Sequence, residues 1–279
     1  MLDGHCHLVP PWLRAAGSAA WSDPWFATCH GAAHPRFASG QDVVAELDRE
    51  GGGRAVVFGW PFSDTGLLAE VNDWVAEEVA GHPTRLTGLA VVNPASEHAA
   101  SELERCRGIG LVGLGEINAD GQGFDLEWVG GLRRVLMACS ELGWPALLHC
   151  SEPVGHDYAG KGTARPDRLW RLLGPLLEEA HGLRLCLAHL GGGLPLYAHM
   201  PEVARLCRDL WFDTAALPYL YSEMVLADVA RLIGRERICF GTDFPLLRPS
   251  RYRTHLEAVP GPDGRDPWLE EATLRWVAG

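Results

Sequence analysis

The sequence predicts a single α/β domain over residues 1–279, a (β/α)8 barrel (TIM barrel) with a long loop after its first strand. Three observations carry that prediction. The chain has 279 residues, close to the ~250 typical of such barrels. Eight short apolar runs alternate with eight stretches of helical periodicity. The runs are apolar almost throughout rather than alternating, the pattern of strands buried on both faces of a parallel sheet. An open doubly wound sheet is the competing arrangement.

Taken in order, the first run spans 2–8 and is followed by spare length at 9–40. A helix over 41–49 runs into Gly51-Gly52-Gly53, which reads as a C-terminal cap. The second run, 54–60, leads to a helix at 67–80, and the third, 86–93, to a helix at 96–107. The fourth, 108–117, carries Gly108, Gly110, Gly113 and Gly115. A dinucleotide loop needs a helix after such glycines, whereas Glu116-Ile117-Asn118 continues a strand, so they read as sites of close packing. The helix at 126–142 places Leu126, Val129, Leu132, Leu136 and Cys139 on one stripe. The fifth run, 145–150, precedes a second spare loop, 151–166, and a helix at 167–181. The sixth, 183–190, meets Gly191-Gly192-Gly193, either a tight turn or a place where backbone approaches substrate. A helix at 200–208 follows, and runs at 210–214 and 237–242 precede helices at 222–233 and 267–277.

Composition narrows the function. Apolar residues make up 47% and charged residues 22%, as in ordinary globular proteins. Lys+Arg is 24 against Asp+Glu 36, a formal charge of −12. An acidic chain repels phosphate backbones and anionic membranes, so neither nucleic acid nor membrane is the expected partner. No apolar run approaches the ~20 residues of a membrane span. The start lacks the basic and apolar regions of a signal peptide, and the eight cysteines are scattered without a CxxC pair. They read as reduced core thiols of a cytoplasmic protein. Cys6 and Cys150 flank histidines but point to the opposite face by strand alternation. Lys161 is the sole lysine, which makes Schiff-base or carbamylated-lysine chemistry a poor expectation.

Four strand ends carry metal-type ligands. The first ends His5-Cys6-His7, the fifth in His149, the sixth in His189 and the eighth in Asp243. Residues i and i+2 of a strand share a face, so His5 and His7 both project toward the barrel mouth. One strand histidine is usually core filling, but four such groups at the same rim each need a buried partner. A shared divalent cation, zinc first among candidates and as one ion or two, supplies it. Glu116 ends the fourth strand, as a ligand or as a partner that fixes an imidazole tautomer. Asp213 ends the seventh and reads as a structural cap or a substrate contact.

Asp3-Gly4-His5-Cys6-His7-Leu8-Val9-Pro10 resembles the His-x-His-x-x-Pro opening of the amidohydrolase superfamily. Ala188-His189-Leu190-Gly191-Gly192 and Phe240-Gly241-Thr242-Asp243-Phe244-Pro245 resemble the sixth- and eighth-strand motifs of its amidohydrolase-2 branch, which includes aminocarboxymuconate-semialdehyde decarboxylase. The resemblance runs in order from residue 3 to about 250. It implies a bare barrel in which His5, His7, His149 and Asp243 bind the metal. It also implies that His189 acts as acid or base beside the metal water, or as a ligand of a second ion. Glu116 resembles the strand-four Glu of TatD-like binuclear deoxyribonucleases, although the acidic charge argues against DNA.

The loop at 12–36 holds Trp12, Arg14, Trp21, Trp25, Phe26, His30, His34 and Arg36. It reads as a lid or pocket wall in which Arg14, Trp25, His30 and Arg36 meet the substrate. The alternative is packing on its own barrel or against a second copy in a homodimer. His156, Asp157, Tyr158, Arg248 and Arg251 rank second. The expected enzyme is a hydrolase of a small amide, ester or lactone, with metal-activated water as nucleophile and Asp243 and His189 moving protons. The competing reading is a non-oxidative decarboxylase of a small unsaturated or aromatic acid, with Arg steadying the carboxylate. A catalytically silent scaffold and a phosphate-binding isomerase are weaker; the latter would need a phosphate cradle where Asp213 and Asp243 stand.

Overall fold

The computed structural model describes residues 1–31, 35–126, 129–259 and 267–279. Among the described residues eight parallel strands are formed: β1 (Leu2–His7), β2 (Arg54–Phe58), β3 (Leu86–Gly88), β4 (Leu114–Ile117), β5 (Pro145–Leu148), β6 (Arg184–Leu187), β7 (Trp211–Asp213) and β8 (Ile238–Cys239). They pair in sequence order as β1-β2-β3 and β4-β5-β6-β7-β8. Backbone bonds join the two groups at both seams. Ala90 N donates to Gly113 O at 2.8 Å and Gly115 N to Ala90 O at 2.7 Å. At the other seam Gly4 N donates to Phe240 O at 2.7 Å, Asp243 N to His5 O at 3.0 Å and His7 N to Phe244 O at 2.8 Å. The ring is that of a (β/α)8 barrel, as the order of runs predicts.

The β1–β8 seam is locked by a side chain. Buried Asp3 accepts from Thr242 N at 3.0 Å, Thr242 Oγ1 at 2.5 Å and His5 N at 3.1 Å. Burial lifts the Asp3 carboxyl to about 6 against these hydrogen bonds.

The helices that cover the sheet match the apolar periodicity within a few residues, including Gly40–Arg49, Thr65–Gly81, Pro166–Glu179 and Pro267–Ala278. A capping box between Ser39 and Asp42 starts the first. Gly51 and Gly52, both in the left-handed region, end it as expected. Leu132, Leu136 and Cys139 are buried on helix Val129–Leu142, in line with the predicted stripe; Leu126 is buried ahead of that helix, and the side chain of Val129 lies outside the described residues.

Several strands are shorter than their apolar runs. The fourth run spans 108–117, but helix Ala99–Gly108 takes its first residue. Gly110, at φ 95°, then turns the chain, so β4 starts only at Leu114. The close-packing role of Gly113 and Gly115 holds: a Cβ on Gly115 would lie 2.5 Å from Phe58 Cβ, and one on Gly113 2.6 Å from Leu89 Cδ2. Gly192 faces the β5 loop, where a Cβ would meet Ser151 O at 2.1 Å. The triple glycine therefore serves packing between loops and does not line the cavity described below.

Candidate metal centre and cavity

The C-terminal ends of the strands bring the strand-end donors together. His5 Nε2 and His7 Nε2 are 3.3 Å apart, over the edge of Phe58, whose ring lies 5.1 and 4.8 Å from theirs. Asp243 Oδ1 lies 3.7 Å from His5 Nε2 and 3.5 Å from His7 Nε2. Glu116 Oε2 is 3.4 Å from His7 Nε2, and its Oε1 is 2.9 Å from His149 Nδ1 and 3.5 Å from His189 Nε2. His149 Nδ1 and His189 Nε2 are 3.2 Å apart. Apart from the partly exposed Asp243, all these side chains are buried.

Hydrogen bonds on the far side of three rings fix which nitrogen faces inward. His5 Nδ1 donates to Asp213 Oδ2 at 2.8 Å. His189 Nδ1 donates to Ala215 O at 3.0 Å. His149 Nε2 donates to Gly160 O at 3.0 Å. In the neutral imidazole the other nitrogen is then a bare lone pair. Three lone pairs and two carboxylates thus point at one another in a buried space, which is repulsive unless a cation lies between them. Titration says the same. Although burial disfavours charge on His5, Asp213, Glu116 and Asp243 outweigh it and lift the imidazole to about 9. His189 rises to about 10, against burial, through Glu116, Asp243 and Asp213. Burial would raise the Glu116 carboxyl, but His149, His189 and His7 hold it well below the usual carboxylate range. Imidazole nitrogens and carboxylate oxygens in a buried shell are the donor set of a divalent transition ion, and the residues fit one.

The local backbone explains how the donors reach this point. His189 and Leu190 adopt φ 56° and 52°, so the sixth run turns at His189 instead of continuing to 190 as the sequence suggests. Asp213 Oδ1 accepts from His189 N at 2.8 Å and Ala215 N at 3.0 Å, which holds that turn. Asp243 lies four residues beyond β8 with φ 63°, held by its bond to His5 O. Left-handed non-glycine residues cost about 1–3 kcal/mol each and collect at functional sites. Of the two roles the sequence leaves open for Asp213, these bonds are those of a structural cap, and what sequence reasoning missed is its pairing with His5. Asp213 touches no substrate-facing surface but orients His5 and the His189 turn.

Above the cluster lies a cavity of about 550 Å³, within the size range of small-molecule sites. Trp25, His30, Trp60 and Tyr158 contribute aromatic walls, and Arg36 is the cation among its described lining residues. Trp25 and His30 belong to helix Pro24–His30. Asp23 caps it by accepting from Trp25 N and Phe26 N at 3.0 and 2.9 Å. The second carboxylate oxygen of Asp23 ties the helix to Ser63 beyond β2. His30 stacks on Phe26 at 4.2 Å and donates through Nδ1 to Phe26 O at 3.1 Å, and burial lowers its imidazole to about 4. Burial lifts the Cys29 thiol, also in the wall, to about 12, which keeps it protonated.

Of the four residues expected to meet substrate, Trp25, His30 and Arg36 line this cavity and Arg14 does not. Arg14 Nε donates to Val9 O at 2.9 Å, where the guanidinium anchors its own loop. Trp12 packs on Trp74 and Trp21 on Phe26, outside the cavity, and His34 lies outside the described residues. His156 and Tyr158 reach the cavity, whereas Arg248 and Arg251 line a separate groove. Lys161 donates to the carbonyls of Val154, Gly155 and His156 and closes its loop. All eight cysteines are free. A larger cleft, about 970 Å³, opens near the starts of β6 and β7 around Arg184 and Trp211, and none of the donor cluster lines it.

A family model described as amidohydrolase, of the amidohydrolase-2 branch, matches residues 2–279. The chain belongs to the amidohydrolase family. This amidohydrolase is 24% identical over 229 residues to 2-amino-3-carboxymuconate-6-semialdehyde decarboxylase of Dictyostelium discoideum, covering 68% of the chain and 60% of the relative. It is 28% identical over 216 residues to gamma-resorcylate decarboxylase of a Polaromonas species, covering 62% and 64%. The match thus spans less than two thirds of either relative. Among solved structures, a 5-carboxyvanillate decarboxylase of Novosphingobium aromaticivorans with bound manganese shares the fold at a TM-score of 0.76 and 16% identity, over 99% of this chain and 96% of that one. No described helix is long and apolar enough to cross a membrane.

Proposed function

We propose that this amidohydrolase is a metal-dependent, non-oxidative decarboxylase of a small aromatic or unsaturated carboxylic acid. One observation carries the reading: a cavity with aromatic walls and an arginine, Arg36, opens directly onto a buried cluster of bare imidazoles and carboxylates. The two curated relatives are both named as decarboxylases, which supports this course over the hydrolysis that the sequence put first.

When bound, a divalent ion supplies Lewis acidity that holds the substrate carboxylate and a neighbouring oxygen. His5, His7, His149 and Asp243 would hold it, with zinc and manganese both compatible with the donors. Trp25, Trp60 and Tyr158 flank the ring, and Arg36 pairs with a substrate carboxylate. Aromatic walls exclude water from the carbon that must accept a proton. Asp243, partly exposed to the cavity, carries that proton from its carboxyl to the ring or alkene carbon. The bond to the carboxylate carbon then breaks, its electron pair returns to the ring or alkene, and CO2 leaves. His189, through Nε2, stabilises the charge at the acidic partner and helps return a proton from solvent.

The test sets chelator-stripped and Mn(II)-loaded protein against two substrate panels. One contains hydroxylated benzoates and unsaturated amino acids with a vicinal carboxylate; the other contains esters, lactones and amides. The reading expects metal-dependent CO2 release from the first panel. Hydrolysis of the second panel without CO2 release, or no product from either, overturns it.

A further inference from the structure

We propose that the groove holding Arg248 and Arg251 is the capture route of the cavity, an outer surface that draws a small organic carboxylate toward Arg36 and the space below. The inference rests on the reading of the cavity as a site for a carboxylic acid and deepens it.

The groove, about 630 Å³, is distinct from the cavity but adjoins it. Pro35, Arg36, Tyr219, Pro245 and Leu246 belong to the walls of both. The two spaces therefore meet along a rim made by the segments that follow β1, β7 and β8. Arg36 stands on that rim, where its Nη1 donates to Leu246 O at 2.5 Å. The guanidinium that serves the cavity is thus also the inner end of the groove. Phe37 and Phe244 add aromatic surface along the way.

Charge sets this groove apart. The chain as a whole is acidic, with Lys+Arg 24 against Asp+Glu 36, so its overall field opposes an approaching anion. In the groove the balance reverses, with Arg36, Arg49, Arg248 and Arg251 against Asp42 and Glu46. Both carboxylates are already engaged. Buried Glu46 pairs with Arg49, and with Arg248 at 3.8 Å. Asp42 accepts from Ser39 N and Oγ within the capping box. Arg36 and Arg251 form no ion pair among the described residues. All four arginines are exposed. Scattered exposed arginines are ordinary solvated surface, but these line one concave wall that ends at the cavity. A cleft of one sign focuses the field and raises the arrival rate of a counter-ion by ~10–10³-fold. The larger cleft around Arg184 and Trp211 gives the contrast. It also holds four arginines, but faces them with Glu178, Glu202 and Asp209, and it shares no wall with the cavity.

The test mixes Mn(II)-loaded, full-length protein with salicylate in a stopped-flow instrument and follows tryptophan fluorescence, since Trp25 and Trp60 line the cavity. Arg251→Glu is expected to slow association by about tenfold at about 0.01 M salt. Dissociation should stay within about twofold, because a rim charge acts on arrival. At about 1 M salt, where the screening length falls to ~3 Å, the difference should vanish. Arg171→Glu makes the same change in net charge in the other cleft and is expected to associate at the wild-type rate. Neutral salicylamide should associate equally with all variants. Circular dichroism checks the fold; should Arg251→Glu fail to fold, Arg251→Gln, expected to be slowed by a smaller factor with the same salt dependence, decides the matter. A folded Arg251 variant that takes up salicylate at the wild-type rate, or is slowed no more than Arg171→Glu, overturns the proposal, as does wild type that binds no salicylate. Charge-dependent capture without CO2 release from any acid would leave the route standing and remove the decarboxylase reading; CO2 release with association indifferent to Arg251 would do the reverse.

Discussion

Replacing Asp213 by Asn tests how the far side of the cluster controls its inner face. The carboxylate is 1% exposed and accepts three hydrogen bonds, from His5 Nδ1 at 2.8 Å, His189 N at 2.8 Å and Ala215 N at 3.0 Å. An asparagine has one acceptor oxygen and an NH2 that only donates. If the NH2 faces His5, Nδ1 must accept. The ring proton then moves to Nε2, and the lone pair aimed at the cluster is gone. If the NH2 faces the two backbone amides, donors oppose donors at the left-handed turn of His189. A hydrogen bond to a charged group is worth about 1.5–3 kcal/mol. At about 1.4 kcal/mol per tenfold, that agrees with the ~10–100-fold loss of metal affinity seen when such outer partners are removed. The expected result is therefore a ~10–100-fold weaker Mn(II) affinity, measured by calorimetric titration of stripped protein, with circular dichroism confirming the fold. A folded D213N that binds Mn(II) within about threefold of wild type, well short of that range, would refute the reasoning.

Three further predictions concern the walls and floor of the site. Asp23→Ala removes the cap of helix Pro24–His30 and its tie to Ser63; a loss of about 1–2 kcal/mol in denaturant unfolding with a raised KM is expected, and an unchanged KM would detach this helix from substrate binding. Gly115→Ala puts a methyl 2.5 Å from Phe58 Cβ beneath His5 and His7; destabilisation of about 1–3 kcal/mol is expected, and an unaltered Tm would contradict the packing. His30, lowered by burial from its ordinary 6.5 to about 4, binds its proton less readily folded than unfolded. It therefore contributes stability above pH 6.5 that is lost as pH falls through 4. Relative to His30→Gln, wild type should lose on the order of 2 kcal/mol between pH 7 and 4, allowing for partial exposure, and parallel stability curves for the two proteins would refute it.

Much of the barrel is legible because its signals are local. Strands buried on both faces leave uninterrupted apolar runs, and the covering helices keep their period, so strand order and helix positions follow directly. The donors His5, His7, His149 and His189 are legible because each stands where an apolar run meets polar sequence. What local pattern hides is pairing across the ring. Asp213 and His5 are 208 residues apart, and only closure of β1 onto β8 places them in contact. The turn at His189 is hidden because Leu187-Ala188-His189-Leu190 reads as continuous strand, while the left-handed backbone is imposed by Asp213. Arg14 shows the opposite error, since residue type suggested a substrate contact and the side chain instead satisfies Val9 O. Helix Pro24–His30 could have been found, because Asp23-Pro24 is a cap followed by a first-turn proline.

The most direct test of the account is an anomalous difference map from crystals soaked in Mn(II) and collected at the manganese edge. The account predicts strong density about 2 Å from the inward nitrogens of His5, His7 and His149 and from an Asp243 oxygen. A map without a peak within bonding reach of those atoms, from crystals in which manganese is demonstrably present, would contradict it.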